Sequence, residues 1–218
     1  MNMKIYCILM VSLISTIPLT VSADDSSKTY LSAGMLYITD KGLDVLKGTG
    51  VTVDDNDTIA NFSLGYIVSP SLSFEGGILS SGEVTASLPT GDSGTLYGKA
   101  YSVSGTVTVK AKTDNAYLLG LKFSGGSDPL SINIKAGQLF WNVDYIATGS
   151  GTITYGGTAY SGSSSKKKFK TVDGNDTYFG IGASYALSNN SSIDLGYISS
   201  EINNSDISGY SLSWVRNF

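Results

Sequence analysis

Four charged residues interrupt faces that otherwise hold small residues. They are Glu75 in SLSFEGGIL, Lys122 in NAYLLGLKFS, Lys135 in PLSINIKAGQ and Asp194 in SSIDLGYIS. Each lies on the Gly/Ser/Asn side of a stretch that alternates with period two, a few residues from a turn-like segment. An unpaired charge inside a protein is costly, whereas a paired one is tolerable. Two acids and two bases predict mutual neutralisation within one internal layer, a packed polar core that holds the surrounding wall.

Other chemistry is restricted by what the chain lacks. It has no histidine, so Ser–His and Asp–His catalysis lack their base. Its single cysteine, Cys7, lies at the N-terminus, which excludes a disulfide and a His/Cys metal site. Asp54, Asp55 and Asp57 in DDND leave open a carboxylate-only mechanism or weak calcium binding. They lack a full spaced calcium loop, and a solvated acidic loop is the expectation. No enzymatic activity, cofactor or metal is expected. The formal charge of −4 and pI near 4.7 give no support for nucleic-acid binding, which wants a basic face.

Alternation identifies the elements that must position these residues. Eight stretches alternate: TYLSAGMLYIT, TIANFSLGYIVS, SLSFEGGIL, NAYLLGLKFS, PLSINIKAGQ, TYFGIGASYALS, SSIDLGYIS and the closing GYSLSWVRNF. SPS (69–71), GGSDP (125–129) and NNS (189–191) supply short turns. The other connections, about 40–57, 80–114, 147–176 and 203–208, read as longer polar loops. This predicts an all-β, eight-stranded antiparallel up-and-down meander. YSVSGTVTVKAK in the second long connection reads as an extra hairpin above the main sheet, and counting it in the barrel would give ten strands.

The distribution of bulk decides which face is wet. One face of every strand is large and apolar, and the other is small and polar. Turned inward, the large faces would overfill an eight-stranded barrel, whose interior is only just wide enough for side chains. Turned outward, they meet lipid, and the small faces fit the interior of a transmembrane β-barrel. Tyr37, Tyr66, Tyr185, Tyr197, Tyr210 and Trp214 fall on the lipid face, as interfacial girdles require. Residues 1–23 read as a secretory signal peptide: Lys4, an apolar run from Ile5 to Ile17, and small residues at Val21 and Ala23. Cleavage after Ala23 leaves 24–218 as the barrel domain.

GNDTYFGIGASYALSNNSSIDLGY, followed by a last strand ending in Phe218, resembles the outer-membrane β-barrel family, the OmpA-like transmembrane barrels. The resemblance implies bacterial outer-membrane localisation, short periplasmic turns and long external loops. It also implies that Tyr210, Leu212, Trp214 and Phe218 form the assembly signal read by the insertion machinery. Arg216 departs from the family's usual aromatic at that position. Glu75, Lys122, Lys135 and Asp194 would then act as a polar gate, the rival to a closed core. No peptidoglycan-binding domain is expected after the last strand.

The expected function is structural or surface-interactive, serving envelope integrity or adhesion through the loops. The alternative is a narrow porin or ion channel gated by the inward charges. The implied partners are outer-membrane lipids and glycolipid, with a host or surface ligand at the loops, and the chain is expected to be a monomer. Lys166, Lys167, Lys168 and Lys170 in SSSKKKFK form a basic patch on the third external loop. It would pair with glycolipid phosphate or an acidic partner, or simply keep the loop solvated.

Overall fold

The structure, a computed structural model, describes residues 28–47, 51–88, 91, 93–96 and 99–218. The expected signal segment 1–23, with residues 24–27, lies outside the described residues. Twelve strands follow in order: β1 (Thr29–Asp40), β2 (Thr52–Asp54), β3 (Asn56–Ser69), β4 (Leu72–Leu79), β5 (Gly82–Leu88), β6 (Ser93–Leu96), β7 (Lys99–Thr113), β8 (Ala116–Ser127), β9 (Leu130–Tyr155), β10 (Thr158–Ser188), β11 (Ser191–Ile202) and β12 (Ser205–Asn217). A 3-10 turn at Lys41–Leu46 follows β1 and is capped by the Asp40 carboxylate, which accepts from Gly42 N–H at 2.9 Å. No described helix is long and apolar enough to cross a membrane.

Eight strands close a ring in the order β1–β3–β4–β8–β9–β10–β11–β12 and back to β1. Every ring pairing is antiparallel. The closing strand pairs with the first from Tyr30↔Asn217 to Asp40↔Ile207, and Phe218 N–H donates to the Thr29 carbonyl at 2.9 Å. The three short turns sit at Pro70–Ser71, Asp128–Pro129 and Asn189–Asn190, all at one end with the closing terminus.

The apolar faces point outward. Leu64, Leu119, Ile132, Ile181, Leu195 and Leu212 are all exposed around the ring. Tyr66, Phe74, Phe123 and Tyr185 flank this band toward the turn end, and Tyr37, Tyr117, Phe140, Phe179 and Tyr210 toward the other. Tyr197 and Trp214 of the expected girdle are half-buried. Tyr197 is shielded by Tyr210, with ring centroids 5.3 Å apart. Such a surface is stable only against hydrocarbon, with aromatic rings at its two boundaries.

The interior is filled in an unexpected way. Small residues face inward, but so do Tyr30, Tyr178 and Trp141, which are almost wholly buried. Each large ring lies on glycine of another strand. A Cβ added at Gly65 would collide with the Tyr30 ring, one at Gly137 would come within 2.8 Å of Tyr178, and one at Gly174 within 2.6 Å of Trp141. Glycine here is a seat for an aromatic side chain rather than a flexible joint.

Beyond the apolar band the wall keeps rising on one side only, which corrects two loop expectations. The segment 147–176 is not a loop: the 26-residue β9 and the 31-residue β10 run on together as one hairpin. They turn at Gly156–Gly157, whose φ angles of 56° and 84° suit a two-residue primed turn. YSVSGTVTVKAK is not a separate hairpin either. It is β7, joined in register to β9 on one side and to β5 and β6 on the other. With β2 on β5, these strands form a projecting sheet, and the ring below remains eight-stranded. From Asn142 to Tyr155, β9 extends about 45 Å at roughly 3.4 Å per residue. Opposite, β11 and β12 turn at once through Asn203–Asn204, both at positive φ.

The Tyr30 seat yields a prediction. Gly65→Val should destabilise the barrel by about 1–3 kcal/mol, the usual cost of overpacking. Thermal unfolding followed by heat-dependent gel migration checks this. Gly76→Val, at a position with open space around the added Cβ, is the control and should change little.

Candidate functional site

The four inward charges meet as two pairs. Lys122 Nζ lies 2.9 Å from Asp194 Oδ2, and Lys135 Nζ lies 2.8 Å from Glu75 Oε1. Ser63 Oγ donates to Glu75 at 3.2 Å, and Ser192 Oγ to Asp194 at 3.3 Å. Asn133 donates to Ser184 Oγ at 3.1 Å. Lys122 and Lys135 stand directly opposite each other across β8 and β9, where like charges repel. The acids on β11 and β4 offset that repulsion from the two sides. Glu75 is 5 % exposed and Lys122 8 %, so both charges are removed from water and depend on their partners. The Lys122 ammonium also sits 5.3 Å above the Tyr30 ring, which holds it from a further side.

Two cavities border this layer and share no lining residue. The one at the turn end, about 430 Å³, is lined by Tyr30, Ser73, Lys122 and Ser131 among others. The inner one is about 60 Å³, room for a few waters, bounded by Glu75, Lys135, Asn133 and Ser63. Its far side is apolar: Leu36, Leu79, Leu118 and Tyr178. Leu36, Leu79 and Tyr178 belong to a buried cluster with Ile59, Ala116, Leu139, Trp141 and Val143, against which Leu118 packs. The interior is therefore polar near the turns and apolar near the other end. This corrects the expectation of a uniformly small, polar interior. The Trp141 indole N–H within this upper layer is satisfied by Asp176 at 2.7 Å.

The apolar layer was missed because one face was assigned to each strand throughout. Its signal is present in β9. Along Ser131, Asn133, Lys135 and Gly137 the inward face is polar or small, and then the same parity continues as Leu139, Trp141, Val143 and Tyr145. The other parity changes from Leu130, Ile132 and Ile134 to Asn142 and Asp144. The strand reverses its amphipathicity where it leaves the apolar band.

The lysine cluster lies on β10, not on a loop. The side chains of Lys166 and Lys167 lie outside the described residues. Lys168 Nζ is 2.6 Å from Asp144 Oδ1, and Lys170 lies 5.9 Å from the centre of the Tyr145 ring. Thr171 also donates to Asp144, at 2.8 Å. These contacts, that of Lys168 first, hold the Asp144 carboxyl below its ordinary value. On the neighbouring strand Lys110 pairs with Glu83, and Lys112 with Asp114 at 3.4 Å.

Of the first-loop acids, Asp55 and Asp57 are committed to structure, and Asp54 is exposed at the end of β2. Asp55 accepts from Lys47 at 2.8 Å and from Asn56 at 2.9 Å. Asp57 accepts the Thr58 and Glu83 N–H groups, both at 2.7 Å, and so ties the start of β5 to β3. Asp44 and Asp55 raise the Lys47 ammonium above its ordinary value. Among the described residues no three His, Cys, Asp or Glu side chains converge as a metal site would.

On the closing strand, Tyr210 and Leu212 are exposed and Trp214 is half-buried. Arg216, the departure from the expected aromatic pattern, places its guanidinium 5.7 Å from the Phe218 ring centre.

The outer membrane protein OprG from Pseudomonas aeruginosa aligns over 88 % of this chain and 96 % of its own, at 10 % identity and a TM-score of 0.52. The fold is that of the eight-stranded outer-membrane barrels. The N-terminal β-barrel domain of OprF from the same organism also aligns (11 % identity, 88 % of this chain, 100 % of that one, TM-score 0.47). So does Ail of Yersinia pestis, the attachment invasion locus protein, solved with the heparin analogue sucrose octasulfate (12 %, 88 % and 98 %, 0.47). No protein-family model matches the chain, and no curated protein matches it in sequence.

Two predictions follow from the charged layers. Lys122→Met leaves Asp194 buried beside no cation and should cost about 3–5 kcal/mol, whereas Lys122→Met with Asp194→Leu should recover most of that loss. Chemical denaturation of the reconstituted barrel measures both. Asp144, beyond the apolar band, should titrate below the free-peptide midpoint by NMR and move back toward it in Lys168→Met. Because this carboxyl is depressed by folding, its contact stabilises the sheet at and above the ordinary carboxylate range. It is lost as pH falls through the depressed value.

Proposed function

We propose that this chain is an integral outer-membrane barrel of structural or surface-interactive role, closed to solutes, that presents the projecting sheet outside the membrane. The observation that carries the reading is the double closure of the interior. Paired, buried charges close the lower half, and a packed apolar layer that includes Trp141 and Tyr178 closes the upper half. A solute crossing the barrel would have to part both. The lower layer then acts as a polar core rather than a gate. Glu75, Lys122, Lys135 and Asp194 hold four ring strands at fixed distances across the interior.

The exposed apolar band is the lipid-contacting surface. The projecting strands are where a surface or host ligand, or the headgroup region of glycolipid, would be met. With Lys168, Lys110 and Lys112 already paired to acids, recognition there rests less on free positive charge than the sequence implied. In the same reading, Tyr210, Leu212, Trp214 and Phe218 serve as the assembly signal. Phe218 is tied into the barrel by its N–H to Thr29. No enzymatic role is assigned, since the chain offers no histidine base and no cysteine beyond Cys7.

The closed reading is tested by planar-bilayer recording of the full barrel. Wild type should give no steady conductance above the lipid baseline, and stable unitary currents would favour the narrow-channel alternative. Orientation is tested separately. Without a cysteine in 24–218, a single Thr158→Cys should react with a membrane-impermeant maleimide on intact cells, while Asn189→Cys should react only after the outer membrane is permeabilised. The reverse pattern would place the projecting sheet in the periplasm.

A further inference from the structure

In the ring, every strand has two neighbours. Above it, β10 has one. It pairs with β11 only from Tyr178 to Ser188, while its pairing with β9 continues to Thr158 at the tip of the hairpin. No described strand covers the other edge of Thr158–Asp176, more than half of this 31-residue strand. Beyond the bilayer this edge is in water, so its unpaired N–H and C=O groups are satisfied there. It is also a ready template for another strand.

The identity of that strand is limited by geometry. Copies of this chain share one membrane, leave it in the same direction and carry the same edge at the same height. A two-fold axis along the membrane normal brings residue to like residue, a self-complementary contact repeated at every encounter between copies. The second copy is therefore the partner present at highest local concentration and in correct orientation.

This edge carries two features that oppose such pairing. Lys166, Lys167, Lys168 and Lys170 set four lysines within five residues of it, of which Lys168 is paired with Asp144. The ladder to β9 also slips twice at the same place, between Ser164 and Lys167 and between Lys168 and Lys170. Charge, lysine above all, and bulges are two of the devices by which natural sheets blunt exposed edges. Both are centred on one short segment of the long free edge. We propose that the lysine cluster is an edge guard: it keeps the free edge of β10 from pairing with the same edge of a second copy. It rests on the barrel lying in a membrane with the sheet projecting, as proposed above. The maleimide experiment tests that frame independently.

The test uses the full barrel in lipid nanodiscs or detergent, with mass measured by light scattering and folding confirmed by heat-dependent gel migration. Wild type should be monomeric at low salt. Replacing all four lysines (Lys166→Thr, Lys167→Thr, Lys168→Thr, Lys170→Thr) should at least double the mass. Replacing Lys166, Lys167 and Lys170 by Glu, with the Lys168–Asp144 pair kept, should keep the monomer, because like charge of either sign guards the edge. A cysteine at Ser161 in the threonine variant should cross-link copy to copy, since the proposed axis sets that position against itself. If the threonine variant fails to fold, wild type in about 1 M salt supplies the same test, because screening reduces the reach of charge to roughly 3 Å. Its mass should then rise. The proposal is overturned if the folded threonine variant stays monomeric, if the glutamate variant associates equally, if association occurs without the Ser161 cross-link, or, in the salt test, if wild type remains monomeric.

Discussion

Closure of β12 on β1 is the interaction on which the rest of this molecule depends. In hydrocarbon no water satisfies a free backbone group, and each orphan costs several kcal/mol. An open eight-stranded sheet would present two such rows. The pairing from Tyr30↔Asn217 to Asp40↔Ile207 removes both. Once the ring is closed, the contents of the two faces follow. The outside must be apolar, and it is. The inside must fit a narrow cylinder, which small residues do only if something fills the gaps between them. Tyr30, Tyr178 and Trp141 fill them by lying on Gly65, Gly137 and Gly174. The abundant glycine of this chain is in part the complement of its inward aromatics.

Closure also explains why buried charge is tolerated. Lys122 and Lys135 are adjacent across one pairing, and either alone would be a burden in an enclosed interior. Asp194 and Glu75 come from strands on the far sides of β9 and β8, so each ion pair spans the interior rather than running along one strand. The pairs hold across the barrel only because the ring fixes these strands in place. Fold and charge layer thus support each other. Ser63 and Ser192 donate to the two carboxylates, and Asn133 donates to Ser184 beside them.

Much of this was legible in the sequence, and the failures have a common cause. Alternation located all eight ring strands, the three turns and the outward face. It also located the closing strand, because a bulky apolar parity against Gly and Ser has few other solutions. The upper halves of β9 and β10 were read as loop because their residues are mostly Gly, Ser, Thr and Lys, which carry little hydrophobic contrast. Gly156–Gly157 between TITY and TAYS was the available hairpin signal. The apolar upper interior was missed for a different reason. Periodicity reports which residues share a face, not what the face meets, and β9 keeps its parity while its surroundings change from lipid to water. At Gln138–Asn142 the inward face turns from polar to apolar and the outward face from apolar to polar, so the boundary of the bilayer is written there as a reversal of polarity. The seat of Tyr30 on Gly65 was out of reach, since nothing local links residues so far apart in sequence.

That reversal also separates two ways of managing a sheet edge in one molecule. Within the band, charge at an edge would itself be exposed to hydrocarbon, so closure is the available solution. Above it the wall is uneven: β11 and β12 turn back at Asn203–Asn204 while β9 and β10 continue, and closure is no longer possible for the taller side. Water then removes the desolvation penalty but not the template, and charge becomes affordable just where it becomes useful. SSSKKKFK, read alone, suggests a solvated loop or a patch that pairs with anions. Placed on a bulged, one-sided stretch of β10, with Lys168 already held by Asp144, the same residues do for the aqueous part of the wall what β12 does for the part in lipid.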